Sequence, residues 1–188
     1  APIWLSLNLL THLEKNNLDS LKNLRGIILF SSTSALTKRF ASNQYDKLLA
    51  KKLIHSEQKV LSICEKYSLN CKIIRPTIIY GVYKDKNDNN FTSIIKFFKK
   101  IPVCFVSNST GYRQPIHFSQ LSNLTNLFLK RFEEKNNNKT NIIEVGGDEE
   151  LTYQDLLFRL SKIAAKYSNT KCILIPIPNK LFLLLLSP

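Results

Sequence analysis

The stretch "IIRPTIIYG", residues 73–81, decides how this chain folds. Ile73, Ile74, Ile78 and Ile79 form an apolar run of the kind found in a parallel strand covered on both faces. An arginine–proline pair interrupts the run, and tyrosine–glycine closes it. Pro76 has no N–H to give, so the regular ladder is predicted to fail there. The residues after Pro76 are then loop at the carboxyl end of a strand, where open α/β sheets hold their ligands.

The neighbouring segments alternate around that strand. Residues 44–68 have helical spacing, with Leu48, Leu49, Leu53, Val60, Leu61 and Cys64 able to face a sheet. Before them, "RGIILFSS" (25–32) is a β-rich run ending in hydroxyls, and residues 2–21 form a helix with Trp4, Leu7, Leu10 and Leu13 on one face. Downstream, 80–90 is a polar loop and 91–100 an amphipathic helix. "VCFV" and "QPIHF" are short strands, and 119–132 is helical again. A solvated turn (133–140) leads to a strand at 141–147. A helix with a Thr152–Asp155 capping box and a last strand at 171–178 complete the chain. Such alternation predicts an α/β protein with a parallel sheet flanked by helices.

Composition bounds what that protein does. A chain of 188 residues with 44% hydrophobic and 22% charged residues can bury a real core. The net charge of +13 invites a nucleic-acid partner. Its distribution argues against one, because the lysines are scattered, run no longer than pairs, and rise together with asparagine. Cys64, Cys71, Cys104 and Cys172 show no CxxC and no metal-like spacing with the histidines. They read as free thiols in a reducing cytosol, so a cytoplasmic location and no metal are expected. No apolar run reaches the length of a membrane span, and no membrane partner is expected. The chain opens on Ala1 and contains no methionine, so it reads as a fragment or a processed chain.

The order of the landmarks carries more than any one of them. "LFSSTS", a helix bearing Glu57, "RPTIIYG", "GYRQPIHFSQL" and "NIIEVGGDEELTYQDLL" succeed one another along the sequence. This order resembles the later part of the NAD-dependent epimerase/dehydratase family, extended and atypical short-chain dehydrogenase/reductases that act on nucleotide sugars. The resemblance implies a single Rossmann-like NAD(P)-binding domain over residues 1–188, a parallel sheet flanked by helices with a small C-terminal substrate-binding lobe. Segments of about 80–118 and 148–188 would supply the substrate lobe. It also implies that the N-terminal βαβ half is absent, since the five glycines form no G-x-x-G-x-x-G phosphate turn.

The family's site residues carry over position by position. The resemblance places Thr33 as donor to the substrate oxygen, where alcohol–ketone interconversion needs a developing alkoxide stabilised. It places Ser31 and Ser32 beside the nicotinamide, and Pro76, Thr77 and Ile78 against its carboxamide. Tyr80, Arg113 and His117 fall at substrate positions, the guanidinium suited to phosphate. Arg75 is also expected to hold a helix carboxylate such as Glu57. The tyrosine–lysine pair that normally moves the proton would sit at 49 and 53, but both are leucine. Tyr45, one turn earlier, is the only nearby tyrosine and the candidate proton carrier.

The expected function is therefore an NAD- or NADP-dependent oxidoreductase, epimerase or dehydratase acting on a nucleotide sugar, with a homodimer left open. A catalytically degenerate dinucleotide-binding scaffold is the alternative, and a basic nucleic-acid-binding module a third.

Overall fold

The computed structural model describes residues 2–84, 86–108, 111–133, 141–168 and 171–186. Most of the turn expected at 133–140 lies outside them. In chain order the first elements are α1 (Ile3–Asn16), α2 (Leu18–Lys22), β1 (Gly26–Phe30), α3 (Ser34–Thr37), α4 (Gln44–Lys66) and β2 (Asn70–Pro76). Next come β3 (Ile79–Tyr80), β4 (Val82–Tyr83), β5 (Lys86–Asn87), α5 (Asn89–Phe98), β6 (Val103–Ser107), β7 (Tyr112–Arg113) and β8 (Ile116–His117). The last are α6 (Phe118–Glu133), β9 (Asn141–Val145), β10 (Leu151–Thr152), α7 (Tyr153–Lys166), β11 (Ile173–Ile177) and α8 (Asn179–Leu186).

These elements form two compact units. The first takes residues 1–77 and 119–146, the second 78–118 and 147–188. In the first, β2 is the central strand of a three-stranded parallel sheet, β1-β2-β9. Residues 71–76 are all buried, as a strand covered on both faces requires. Leu29, Cys71 and Ile73 share a core with Ile3, Leu10, Leu21, Leu53, Val60 and Cys64.

Helix α4 shows how its sequence selects a face. Ala50, Leu53, Glu57, Val60 and Cys64 are buried, a 3–4–3–4 spacing that makes one stripe. Leu48, expected on that face, is exposed because it lies off the stripe. The stripe therefore carries a carboxylate at its middle.

The expected helix over 2–21 is two helices. Asn17 leaves helical geometry at φ −153°, and its side chain accepts from Ser20 N at 3.1 Å, so one residue ends α1 and caps α2. The buried face of α1 is Ile3, Ser6 and Leu10, and Trp4 is exposed. Leu7 and Leu13 also pack against the core, so of the expected face only Trp4 is misplaced; Ser6 joins that face because its hydroxyl donates to the Pro2 carbonyl at 3.1 Å.

The second unit is built on two parallel strands, β6 and β11. Phe91 and Phe98 of α5 and Leu156, Leu157, Leu160 and Ala164 of α7 pack with Val106, Cys172 and Leu174. The expected cap is present through Thr152: its Oγ1 accepts from Asp155 N at 3.0 Å and donates to the Asp155 carboxylate at 2.6 Å. Shorter pairings, β3 with β8, β4 with β5 and β7 with β10, complete the unit. The strands of the second unit form sheets of their own, and the loop at 80–90 contains the β4–β5 ribbon. No helix among the described residues is long and apolar enough to cross a membrane. The four cysteines are free thiols.

Candidate functional site

In the first unit the hydroxyl run after β1 meets the Pro76 segment at the carboxyl ends of adjacent parallel strands. Ser31 N donates to the Ile74 carbonyl at 2.8 Å, one residue past the end of β1. Thr33 N donates to the Pro76 carbonyl at 3.1 Å, and Thr33 Oγ1 lies 3.4 Å from the same oxygen. Thr77 N donates to the Val145 carbonyl at 3.0 Å. Pairing therefore continues through Thr77. What Pro76 removes is one ladder donor, the N–H that parallel geometry would aim at the Ser31 carbonyl. The strand ends at Pro76 as expected, with one further bond beyond it from Thr77 N.

The three hydroxyls are held differently. Ser32 Oγ accepts from Ser34 N at 3.1 Å, which turns the chain into α3. Thr33 occupies the N-cap of α3 without capping it through its side chain. Ser31 turns toward α4 and donates to Glu57 Oε1.

Glu57 and Arg75 form the buried polar centre of this unit. Arg75 Nε donates to Glu57 Oε1 at 2.9 Å and Nη2 to Oε2 at 2.5 Å, a bidentate pair. Arg75 Nη1 lies 3.5 Å from Glu144 Oε1 on β9, the residue opposite it in register. The hydrogen bonding of Arg75 to Glu57, and then the charge of Glu57, raise the Arg75 pKa against the opposing effect of burial. Glu57 thereby ties α4 to β2 and to the hydroxyl turn after β1, while Arg75 reaches β9 through Glu144. The Arg75–Glu57 pair was legible in the sequence. Its extension to Ser31 and Glu144 was not, because strand register decides both.

Leu49 and Leu53, at the positions where the resemblance would put a tyrosine and a lysine, pack in the core. Tyr45 stands in the first turn of α4 and is 76% exposed. Asn43, not Tyr45, begins that helix, its side chain accepting from Asp46 N at 2.8 Å.

The remaining candidates lie in the second unit. Ile78 accepts from Ile116 N at 2.9 Å, and β3 pairs with β8 so that Tyr80 is opposite His117. Their rings meet edge-on at 5.2 Å, Phe91 is 5.6 Å from Tyr80, and Phe118 is 4.5 Å from His117. Gly81 takes φ +128°, and a Cβ there would come within 2.5 Å of the Phe118 ring and 2.7 Å of His117 Nε2. A glycine is required for the backbone to turn past these rings. Arg113 belongs to the β7–β10 pairing: it is exposed, donates to the Tyr112 carbonyl at 2.8 Å, and lies 5.4 Å over the Tyr153 ring. Among the described residues no group of three His, Cys, Asp or Glu side chains could hold a metal ion.

Comparison with known proteins shows what architecture this is. A UDP-N-acetylglucosamine 4-epimerase from Bacillus cereus matches 92% of this chain with a TM-score of 0.62 and 15% identity. The fold is that of the nucleotide-sugar epimerases. The UDP-glucuronic acid 4-epimerase of the same organism, solved with NAD, matches 92% at a TM-score of 0.60 and 17% identity. A dTDP-4-dehydrorhamnose reductase from Bacillus anthracis, solved with NADP, matches 84% at 0.57 and 15%. The chain spans 57%, 56% and 52% of the lengths of these three proteins. No protein-family model and no curated protein matches the chain.

Proposed function

We propose that the chain carries the reaction side of an NAD(P)-dependent enzyme acting on a nucleotide sugar, as an epimerase, dehydratase or 4-keto reductase. The observation behind this reading is the meeting of Thr33 with Pro76 at the carboxyl edge of parallel strands. The residues present fit the nicotinamide end of a dinucleotide, since hydroxyl and carbonyl groups share one edge. They offer no glycine turn to cradle the pyrophosphate.

The dinucleotide, when bound, would accept the hydride in its oxidised form or donate it in its reduced form. In this reading the chain's own groups do the rest. Thr33 Oγ1, whose contact with Pro76 is long at 3.4 Å, exchanges it for the substrate oxygen and stabilises developing negative charge. Ser32, Thr77 and Ile78 border the nicotinamide, and Ser31 contributes through its backbone because its hydroxyl is held by Glu57. Arg113 meets a substrate phosphate, while Tyr80 and His117 offer ring edges to the nucleotide sugar. Turnover in the complete protein tests these roles. Thr33→Val is expected to lower kcat by roughly 10²-fold, Arg113→Ala to raise KM, and Tyr45→Phe to change neither. A large loss in Tyr45→Phe with the fold intact would restore Tyr45 as proton carrier.

The packing of Leu49 and Leu53 in the core favours a second reading, a dinucleotide-binding scaffold without catalysis. Under that reading Thr33→Val changes dinucleotide affinity and no turnover exists to lose. Calorimetric titration of the 188-residue chain with NAD and NADP bears on both. Without a phosphate cradle the expected Kd is weaker than about 1 mM. Micromolar binding by this chain would show that the pyrophosphate is held by groups other than a glycine turn.

A further inference from the structure

In the second unit one face of a two-stranded sheet is partly exposed. β6 and β11 pair with Val103 opposite Ile173 and Phe105 opposite Ile175. Alternation sends Val106 and Leu174 into the core beneath α5 and α7 and sends these four side chains the other way. Val103, Phe105, Ile173 and Ile175 are 43%, 51%, 57% and 38% exposed. Cross-strand neighbours of this kind make a continuous apolar patch, which marks an interaction surface.

The same sheet has a basic end. Both strands begin there, as the parallel register and the 2.8 Å bond from Ile173 N to the Pro102 carbonyl require. Lys99 and Lys100 lead into β6, and Lys171 leads into β11. Lys99 and Lys166 Nζ lie 5.8 Å and 5.6 Å from the centre of the Tyr167 ring, which draws the end of α7 into the group. Carboxylates stand at the opposite ends of the two helices: Asp88 caps the start of α5, and Asp155 lies in the first turn of α7. Among the described residues, no ion pair involves Lys99, Lys100, Lys166 or Lys171.

We propose that this face docks on an anionic lipid surface, its apolar side chains entering the boundary between headgroups and acyl chains while the lysines meet lipid phosphate and carboxylate groups. Charge complementarity selects this occupant. A second copy of a chain with net charge +13 would bring the same lysines together around the patch. An acidic protein would satisfy the lysines, whereas a bilayer satisfies the lysines and the apolar face together. The expectation of no membrane partner, drawn from the want of a spanning segment, does not extend to surface contact.

Co-sedimentation of the 188-residue chain with vesicles tests the proposal. Binding is expected to phosphatidylcholine vesicles carrying phosphatidylserine, to be weak on pure phosphatidylcholine, and to fall as salt rises. Lys99→Glu with Lys171→Glu should weaken it at least about tenfold. Phe105→Asp with Ile175→Asp should weaken it comparably, with circular dichroism reporting an intact fold. The lysine pair is exposed enough to keep the test valid if the apolar pair does not fold. Equal binding to neutral and anionic vesicles would overturn the proposal, as would binding indifferent to the lysine pair. A lipid-free dimer that Phe105→Asp dissolves would assign the face to a second copy. Tighter binding to polyglutamate than to vesicles would assign it to an acidic protein.

Discussion

Replacing Glu57 with alanine is expected to remove about 3–5 kcal/mol of stability, the usual cost of leaving one member of a buried pair without its partner. The Arg75 guanidinium is buried, and Glu57 takes two of its donors while also accepting from Ser31. Glu144, at 3.5 Å and on an exposed side chain, is too distant and too well solvated to replace it. Set against a total of about 5–15 kcal/mol for a typical domain, the loss is a large fraction of the whole. Equilibrium urea unfolding followed by circular dichroism measures it. The companion variant Glu57→Leu with Arg75→Met removes both charges and should recover most of the loss, because the pair itself adds little over a well-packed apolar substitute. A loss below about 1 kcal/mol for Glu57→Ala would mean that water or another carboxylate reaches Arg75.

Gly147→Ala is expected to be comparably damaging, for a steric reason. A Cβ at 147 would be driven into the Pro115 carbonyl oxygen and would stand 3.3 Å from Ile116 Cα. These are backbone atoms and cannot rotate away as a side chain would. Gly147 N is also fixed, donating to the Gln114 carbonyl at 3.2 Å. Relief requires the 114–116 segment to shift, and with it the pairing of Ile116 and His117 with Ile79 and Tyr80. The cost is expected to reach about 3 kcal/mol or more, at the upper end for overpacking. Thermal unfolding should show it in the second unit, and wild-type stability of Gly147→Ala would mean that this segment yields freely.

The sequence was most informative where burial and local chemistry agree. The first part of the 73–79 run announced the central strand, although Ile78 and Ile79 leave it and Ile79 joins β3, and the Thr152–Asp155 pair announced α7. The pairing of Arg75 with Glu57 was legible from a carboxylate on an apolar helix stripe facing an arginine in an apolar strand. Elsewhere the deciding interactions are distant in sequence. The approach of Thr33 to Pro76 was expected only because both end parallel strands, and the bonding of Ser31 to Glu57 rather than to open space depends on strand register. On α1 the expected Leu7, Leu10 and Leu13 do meet the core, but Trp4 does not, and Ser6 takes a buried place because its hydroxyl is satisfied locally. The β4–β5 and β7–β10 pairings escaped notice because two-residue strands are too short for alternation to show.

The first unit is discontinuous along the chain: residues 1–77 and 119–146 build it, with 78–118 between them. Order of synthesis then separates its two halves in time. α1, α4 and the β1–β2 pair emerge together and can collapse around Leu29 and Ile73 early, while the other edge of β2 waits for β9. Arg75 and Glu144 are 69 positions apart, so closing that edge carries a loop-entropy cost that local contacts do not. Until it closes, the nascent chain shows the unpaired edge of its most buried strand. Chaperone contact and cleavage of the growing polypeptide should therefore concentrate in the interval between translation of Pro76 and translation of Val145.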